Sequence, residues 1–401
     1  MKTRGAKGLG TLAVHLGHDE GPALDRPLVL SSAFALGTAD EAAAAFRGEA
    51  DPPAYIYGRW GNPTVRGLEE LVAGLEGGED AVVAASGMAS ISGALLAVLS
   101  AGDHIVAPRA LYGETARLLR ERLPRFGIRT TFLDDTSPAA FSRAIEPCTR
   151  IVYLETPSNP TLAVLDIASI AAVAHERRAL VFADNTFATP YCQRPLALGA
   201  DLVLHSMTKF LCGHGDAIAG AAVGDRALCH QIREATIKNF GGALSPFAAH
   251  QVARGIRTFA LRLAQATTSA SALAARFETL PQVERVYHPS LSSHPGHDIA
   301  KRQMTHFPAI FSFDLAGGLP SAKRFVEAVQ LATHAVSLGD VRTLITHPAS
   351  TTASTMPAAD RALVGIGDGL IRVAVGIEDL DDLWDDLSQA VRLATEGGTA
   401  R

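Results

Sequence analysis

The middle of the chain alternates short apolar runs with helical runs, and no other feature constrains the fold as strongly. HIVAP (104–108), RTTFLD (129–134), RIVYLE (150–155), ALVFADN (179–185) and ADLVLHS (200–206) read as buried strands. Between them, ETARLLRERLPRF and IASIAAVAHERR repeat their apolar residues at helical spacing. That order predicts an α/β fold with a mostly parallel sheet covered by helices. Ligands of such sheets collect at the carboxyl ends of the strands. The flanks differ from the middle. Residues 1–61 are rich in Gly and Pro with weak periodicity and read as an arm, ahead of a large domain over 62–260. Beyond it, LRLAQATTSASALAARFETL, FPAIFSFDLAGG and LIRVAVGIEDLDDLWDDLSQAVRL predict a smaller C-terminal α+β domain over 261–401.

Composition narrows the function classes. A net charge of -5 and no basic stripe argue against nucleic acid as a partner. Ala81 to Gly102 carries no charge and is long enough to cross a bilayer. Its four serines and three glycines suit a buried helix better than a membrane span, so no membrane partner is expected. Cys148, Cys192, Cys212 and Cys229 are far apart and form no CxxC pair, which argues against disulfides and zinc. A cytoplasmic protein is the simplest expectation. His294 and His297 in SHPGH have the spacing of a metal pair but lack an evident third ligand, so no metal site is expected.

Chemistry-bearing residues gather where strands end. ALVFADN delivers Asp184, followed by Asn185 and Thr186; ADLVLHSMTK delivers Ser206, Thr208 and Lys209. A lysine at an apolar strand terminus can be desolvated, which lowers its pKa and suits Schiff-base chemistry. A carboxylate in the same crevice can keep a pyridine nitrogen protonated. Singly, each has a blander reading, a helix cap for the Asp and a solvated amine for the Lys. Ser86-Gly87-Met88-Ala89-Ser90 follows AVVAA and precedes a helical stretch, so its backbone N–H groups suit a phosphate, or merely form an N-cap. Tyr112 offers a flat ring for stacking and a phenol for proton transfer, or a core side chain.

Nine motifs in order resemble the Cys/Met-metabolism pyridoxal-phosphate (PLP) enzymes of fold type I: YGRWGNPT (57–64), SGMAS (86–90), LYGET (111–115), ETPSNP (155–160), DNTF (184–187), SMTK (206–209), SLGD (337–340), HPAS (347–350) and LIRVAVGIEDLDDL (370–383). The resemblance runs from about Ser31 to Arg392 and implies a seven-stranded, mostly parallel sheet in the large domain. It implies that Lys209 carries pyridoxal 5'-phosphate and shuttles protons, that Asp184 pairs with the ring nitrogen, and that Asn159 lies near the ring hydroxyl. Ser86, Gly87, Met88, Ser206 and Thr208 would hold the phosphate, with Thr186 among the cofactor contacts. Tyr112 would stack on the ring and act as acid/base. Tyr57 and Arg59 would reach a neighbouring subunit's phosphate from the arm, which implies shared active sites in a homotetramer built from dimers. Arg372, helped by Ser337, would bind the α-carboxylate of a small amino-acid substrate; an ion pair with an Asp or Glu is the alternative for a buried arginine.

Family members divide between γ-elimination and γ-replacement with the same residues. Val336, ahead of Ser337, resembles the methionine γ-lyases and suits a thioether tail. Glu114, where those enzymes carry Cys, leaves room for a more polar or cationic γ-substituent, and Ala353 replaces a common His. A γ-lyase acting on a methionine- or homoserine-type amino acid is the leading expectation. An O-acetyl- or O-succinylhomoserine sulfhydrylase or a cystathionine γ-synthase comes second, and a non-catalytic PLP-binding protein is a remote third, since it would not need Arg372.

Overall fold

The structure, a computed structural model, describes residues 7–17, 23–51 and 54–396. Of the expected arm, residues 1–6, 18–22 and 52–53 therefore lie outside the described residues, as do 397–401 at the end of the chain.

Seven strands form the large sheet: β1 (Asp80–Ala84), β2 (His104–Pro108), β3 (Arg129–Leu133), β4 (Thr149–Glu155), β5 (Leu180–Asp184), β6 (Leu202–Ser206) and β7 (Gly220–Gly224). Their order is β1-β7-β6-β5-β4-β2-β3, and β7 alone runs antiparallel to its neighbours. The five apolar runs of the middle are β2 to β6. GAAVG in β7 reads from sequence as part of a glycine-rich stretch, yet it is fully buried strand. Small side chains there let the backbone pass close to the Ser86 segment: a Cβ on Gly220 would strike Ser86 and the Ser90 hydroxyl. The uncharged Ala81–Gly102 stretch is also not one helix. It is the strand β1, a turn, and a helix over Gly87–Val98 capped by Ser86, whose side chain accepts the Ala89 N–H at 3.1 Å. Among the described residues no helix is long and apolar enough to cross a membrane.

Both sheet faces are covered, and the period of two along each strand sorts the side chains. Tyr153, Phe182, Leu202 and Leu204 pack with Ile91, Ala94 and Leu95 of the Gly87–Val98 helix. The opposite face carries Val152, Val181 and Ala183 against Ile167, Ile170 and Ala174 of the Ile167–Glu176 helix, and Val203 within the core that also contains Leu68 and Leu75. The same parity carries Glu155, Asp184 and Ser206, at the carboxyl ends of β4, β5 and β6, to the face of the Gly87–Val98 helix.

The second sheet contains β8 (Val283–Tyr287), β9 (Ile310–Leu315), β10 (Thr333–His334), β11 (Leu344–Thr346) and β12 (Leu370–Ala374), ordered β10-β11-β12-β9-β8. Phe277, supplied by the long Phe259–Glu278 helix, meets Phe311 and Trp384 edge-on and Phe313 at a tilt in the core of this sheet. In the N-terminal segment, the Ala39–Arg47 helix opens with a Thr38/Glu41 capping box, while Leu24, Leu30 and Phe46 are exposed.

Candidate active site

A cavity of about 340 Å³ opens at the carboxyl ends of β4, β5 and β6. One wall is the start of the Gly87–Val98 helix, with Ser86, Gly87 and Met88, facing Ser206 and Thr208. Gly87 is required there, because a Cβ would lie 2.8 Å from the Ser206 Cβ. The first N–H groups of this helix have no partners within it and favour an anion.

Asp184 stands at the base. Its Oδ1 accepts the Thr186 N–H at 3.0 Å and the Thr186 hydroxyl at 2.6 Å, and the same hydroxyl accepts the Ser206 N–H at 2.9 Å. Burial raises the Asp184 carboxyl above its ordinary range, while the Thr186 bonds and the nearby His205 oppose the shift. The Lys209 amine donates to the Ser337 hydroxyl at 2.6 Å. Burial, then the Arg372 charge, lowers its pKa to about 8. The sequence expectation of a desolvated amine is met.

Arg372, on β12, is buried and has no carboxylate partner among the described residues. Its Nη1 donates to Asn159 Oδ1 at 3.0 Å and its Nη2 to the Ser337 carbonyl at 2.6 Å and the Thr346 hydroxyl at 3.3 Å; Nε has no partner. Desolvation lowers the guanidinium to about 10. The ion-pair alternative is thereby removed, and a buried cation remains for an incoming anion. Ser337 holds this geometry with a left-handed backbone (φ 86°), a conformation uncommon for a residue with a side chain.

Tyr112 lines the cavity with its ring partly exposed; burial of the phenol, then Glu114 and Glu155, raise its pKa, so it stays protonated at neutral pH. Val336 lines the cavity with Ile218 and Leu338, and of these Val336 and Ile218 are exposed. The cavity thus unites Ser86, Gly87, Met88, Tyr112, Asn159, Asp184, Thr186, Ser206, Thr208, Lys209, Val336, Ser337 and Arg372. Three expected residues are not on its wall. Glu114 is exposed, two residues beyond Tyr112. Tyr57 and Arg59 lie elsewhere: the Arg59 guanidinium is 5.4 Å from the Tyr57 ring centre and donates to the Lys238 carbonyl.

Glu155 was missed from sequence. It is buried in the cavity beside Asp184, and burial, reinforced by the Asp184 charge, pushes its pKa up to about 8. The signal was present, since RIVYLE and ALVFAD are neighbouring parallel runs that each end in an acid. Phe187 and Thr352 also line the wall without having been singled out. His294, by contrast, is buried and accepts the Gly296 N–H at 3.0 Å, and among the described residues no cluster of His, Cys, Asp or Glu could hold a metal ion.

These groups fit a flat, phosphate-bearing aldehyde with a basic ring nitrogen. A helix start and hydroxyls suit the phosphate, an acid suits the nitrogen, and an amine of lowered pKa suits the aldehyde. Comparison with known proteins agrees. The pattern defining the Cys/Met metabolism PLP-dependent enzymes matches residues 10–392. The chain is 44% identical over 388 residues to an L-methionine gamma-lyase of Fusobacterium nucleatum subsp. polymorphum, covering 96% of this chain and 98% of that protein. It is 42% identical to an O-succinylhomoserine sulfhydrylase of Pseudomonas aeruginosa, covering 95% and 94%. The crystal structure of metB from Corynebacterium glutamicum superposes with a TM-score of 0.89 at 34% identity, covering 96% of this chain and 98% of that one. The chain belongs to the Cys/Met metabolism enzymes of fold type I, and its cofactor is pyridoxal 5'-phosphate.

Proposed function

We propose that this enzyme catalyses γ-elimination on a methionine- or homoserine-type amino acid, releasing the γ-substituent, a 2-oxo acid and ammonia. The observation that carries the reading is the buried Arg372, without a carboxylate of its own, facing the same cavity as the lowered-pKa Lys209. The kinship to L-methionine gamma-lyase and the apolar side chains of Ile218, Val336 and Leu338 on the cavity wall favour a thioether tail. Exposed Glu114, whose charge reaches the Tyr112 phenol, suits polar or cationic γ-substituents as well.

In this reading Arg372, with Asn159 and Ser337, grips the α-carboxylate and so points Cα toward Lys209. PLP, when bound, supplies an electron sink for the pair left at Cα. Lys209 Nζ takes the α-proton and then moves protons between substrate carbons, while the Tyr112 phenol donates a proton to the leaving group. Asp184 keeps the ring nitrogen protonated with Thr186 fixing its carboxylate. Ser86, Gly87, Met88, Ser206 and Thr208 hold the phosphate. Water consumed in the final steps balances the release of ammonia.

The reading extends to the assembly. Residues 1–61 act as an arm on a neighbouring subunit, placing Tyr57 and Arg59 at its phosphate, with 62–260 and 261–401 as the large and C-terminal domains of a homotetramer built from dimers. Exposed Leu24, Leu30 and Phe46 support a docked arm. Four free cysteines, three of them buried, support a reducing, cytoplasmic compartment.

A substrate panel tests the reaction: methionine, homocysteine, cystathionine, canavanine and O-acyl homoserines, with and without sulfide. A 2-oxo acid and ammonia formed without sulfide is the expected result; products that appear only with added thiol would establish γ-replacement instead. Lys209→Ala abolishes turnover, and retained steady-state activity in that variant would remove the assignment. Arg372→Ala raises KM for the amino acid by about tenfold or more.

A further inference from the structure

One buried acid in the cavity has no part in the mechanism above. Glu155 ends β4 directly opposite Asp184 in the strand register, and it is 5% exposed. Its Oε2 accepts the Tyr112 N–H at 2.7 Å and its Oε1 accepts the Asn159 N–H at 3.1 Å. Tyr112 lies on the segment beyond β2, and Asn159 lies on the segment beyond β4, where its side chain accepts from Arg372. A single carboxyl therefore joins the ring-stacking segment, the partner of the substrate arginine and the strand edge beside Asp184.

We propose that Glu155 is a positioning residue, which acts through the backbones of Tyr112 and Asn159 to hold the cofactor ring between Tyr112 and Asp184. The proposal rests on the roles given to Tyr112, Asn159 and Asp184 above. Simple capping of two N–H groups is the competing explanation. It accounts for the bonds but not for placing an acid beside Asp184, where no Lys or Arg pairs with Glu155 among the described residues and desolvation makes a second charge costly. A ring nitrogen held protonated by Asp184 would supply the missing positive charge.

The test titrates ligand-free protein with PLP and follows the affinity and the visible circular dichroism of the bound cofactor. Glu155→Gln keeps the size but leaves only one acceptor oxygen for two N–H groups. We expect cofactor affinity to fall by about tenfold or more, with a changed visible band. Because Glu155 acts through Tyr112, its effect shrinks in a Tyr112→Ala background, so the two losses do not multiply. Wild-type affinity and an unchanged band in Glu155→Gln overturn the proposal, as do losses that multiply. Should Glu155→Gln not fold, Glu155→Asp, whose shorter side chain reaches one segment and not both, is measured against the same outcomes. Lys209→Ala and Asp184→Asn run alongside. If these bind PLP normally, the assignment of the site itself fails; if they lose it while Glu155→Gln does not, only the role of Glu155 fails.

Discussion

Lys209 is the residue whose chemistry was most legible in sequence, because an amine just past an apolar strand can be desolvated and Asp184 ends the neighbouring apolar run. Its partner was not legible: the Ser337 hydroxyl, 2.6 Å away, is 128 residues distant along the chain. Arg372 is similar. Its place on a strand could be read, whereas the absence of a carboxylate partner depends on what β9, β11 and the Ser337 segment present to it. The lowered pKa of about 8 makes a prediction with a definite sign. In ligand-free protein the neutral amine of Lys209 prevails above about pH 8, so its rate of acylation levels off there, while exposed lysines keep gaining reactivity toward about pH 10.4; peptide mapping after brief labelling reads both. Between about 8 and 10.5 only the unfolded chain holds the proton, so the Lys209 contribution to stability rises with pH across that window. Lys209→Met removes that rise from the pH dependence of urea unfolding.

At the scale of elements, parity along the strands decides who meets whom. Glu155, Asp184 and Ser206 share the face of the Gly87–Val98 helix, and His205, one residue earlier than Ser206, turns to the other. There His205 Nε2 donates to Glu76 Oε1 at 2.6 Å, and Asn185 Nδ2 donates to the same oxygen at 2.8 Å. Glu76 closes the Pro63–Glu76 helix, so this bonded group fastens the helix to the strand ends beneath the cavity. Glu76→Ala leaves two buried polar groups without their acceptor and costs about 2–4 kcal/mol of stability. Glu76→Gln, which keeps an acceptor, costs less, and urea midpoints of the two variants decide it. Element boundaries were the least legible part. Ala81–Gly102 has uniform apolar composition, yet it divides into strand and helix at Ala85-Ser86 because the Ser86 side chain caps the helix. The strand Gly220–Gly224 is not legible in sequence because a run of Gly and Ala carries little β-propensity; close passage of neighbouring backbone selects it.

For the whole molecule, the described chain brings together a cavity with every expected cofactor contact except Tyr57 and Arg59. If those two act in a neighbouring subunit's site, Arg59→Ala and Lys209→Ala proteins, each inactive alone, recover about a quarter of wild-type activity when co-refolded, since half of randomly paired dimers carry one intact site. Absence of recovery would place Arg59 outside catalysis in a partner. Local periodicity and residue types at strand ends carried the α/β class and the carboxyl-end location of the site, while nine ordered motifs resembling a known family carried the cofactor and its expected contacts. The chain states the first two within a few positions, and the last two only through the motifs taken together. Only the tertiary structure decided that Arg372 lacks an acid, that Ser337 reaches Lys209 and that Glu155 holds Tyr112 and Asn159. Each of these depends on strand register and on loops closing over long separations, and no local pattern encodes such distances.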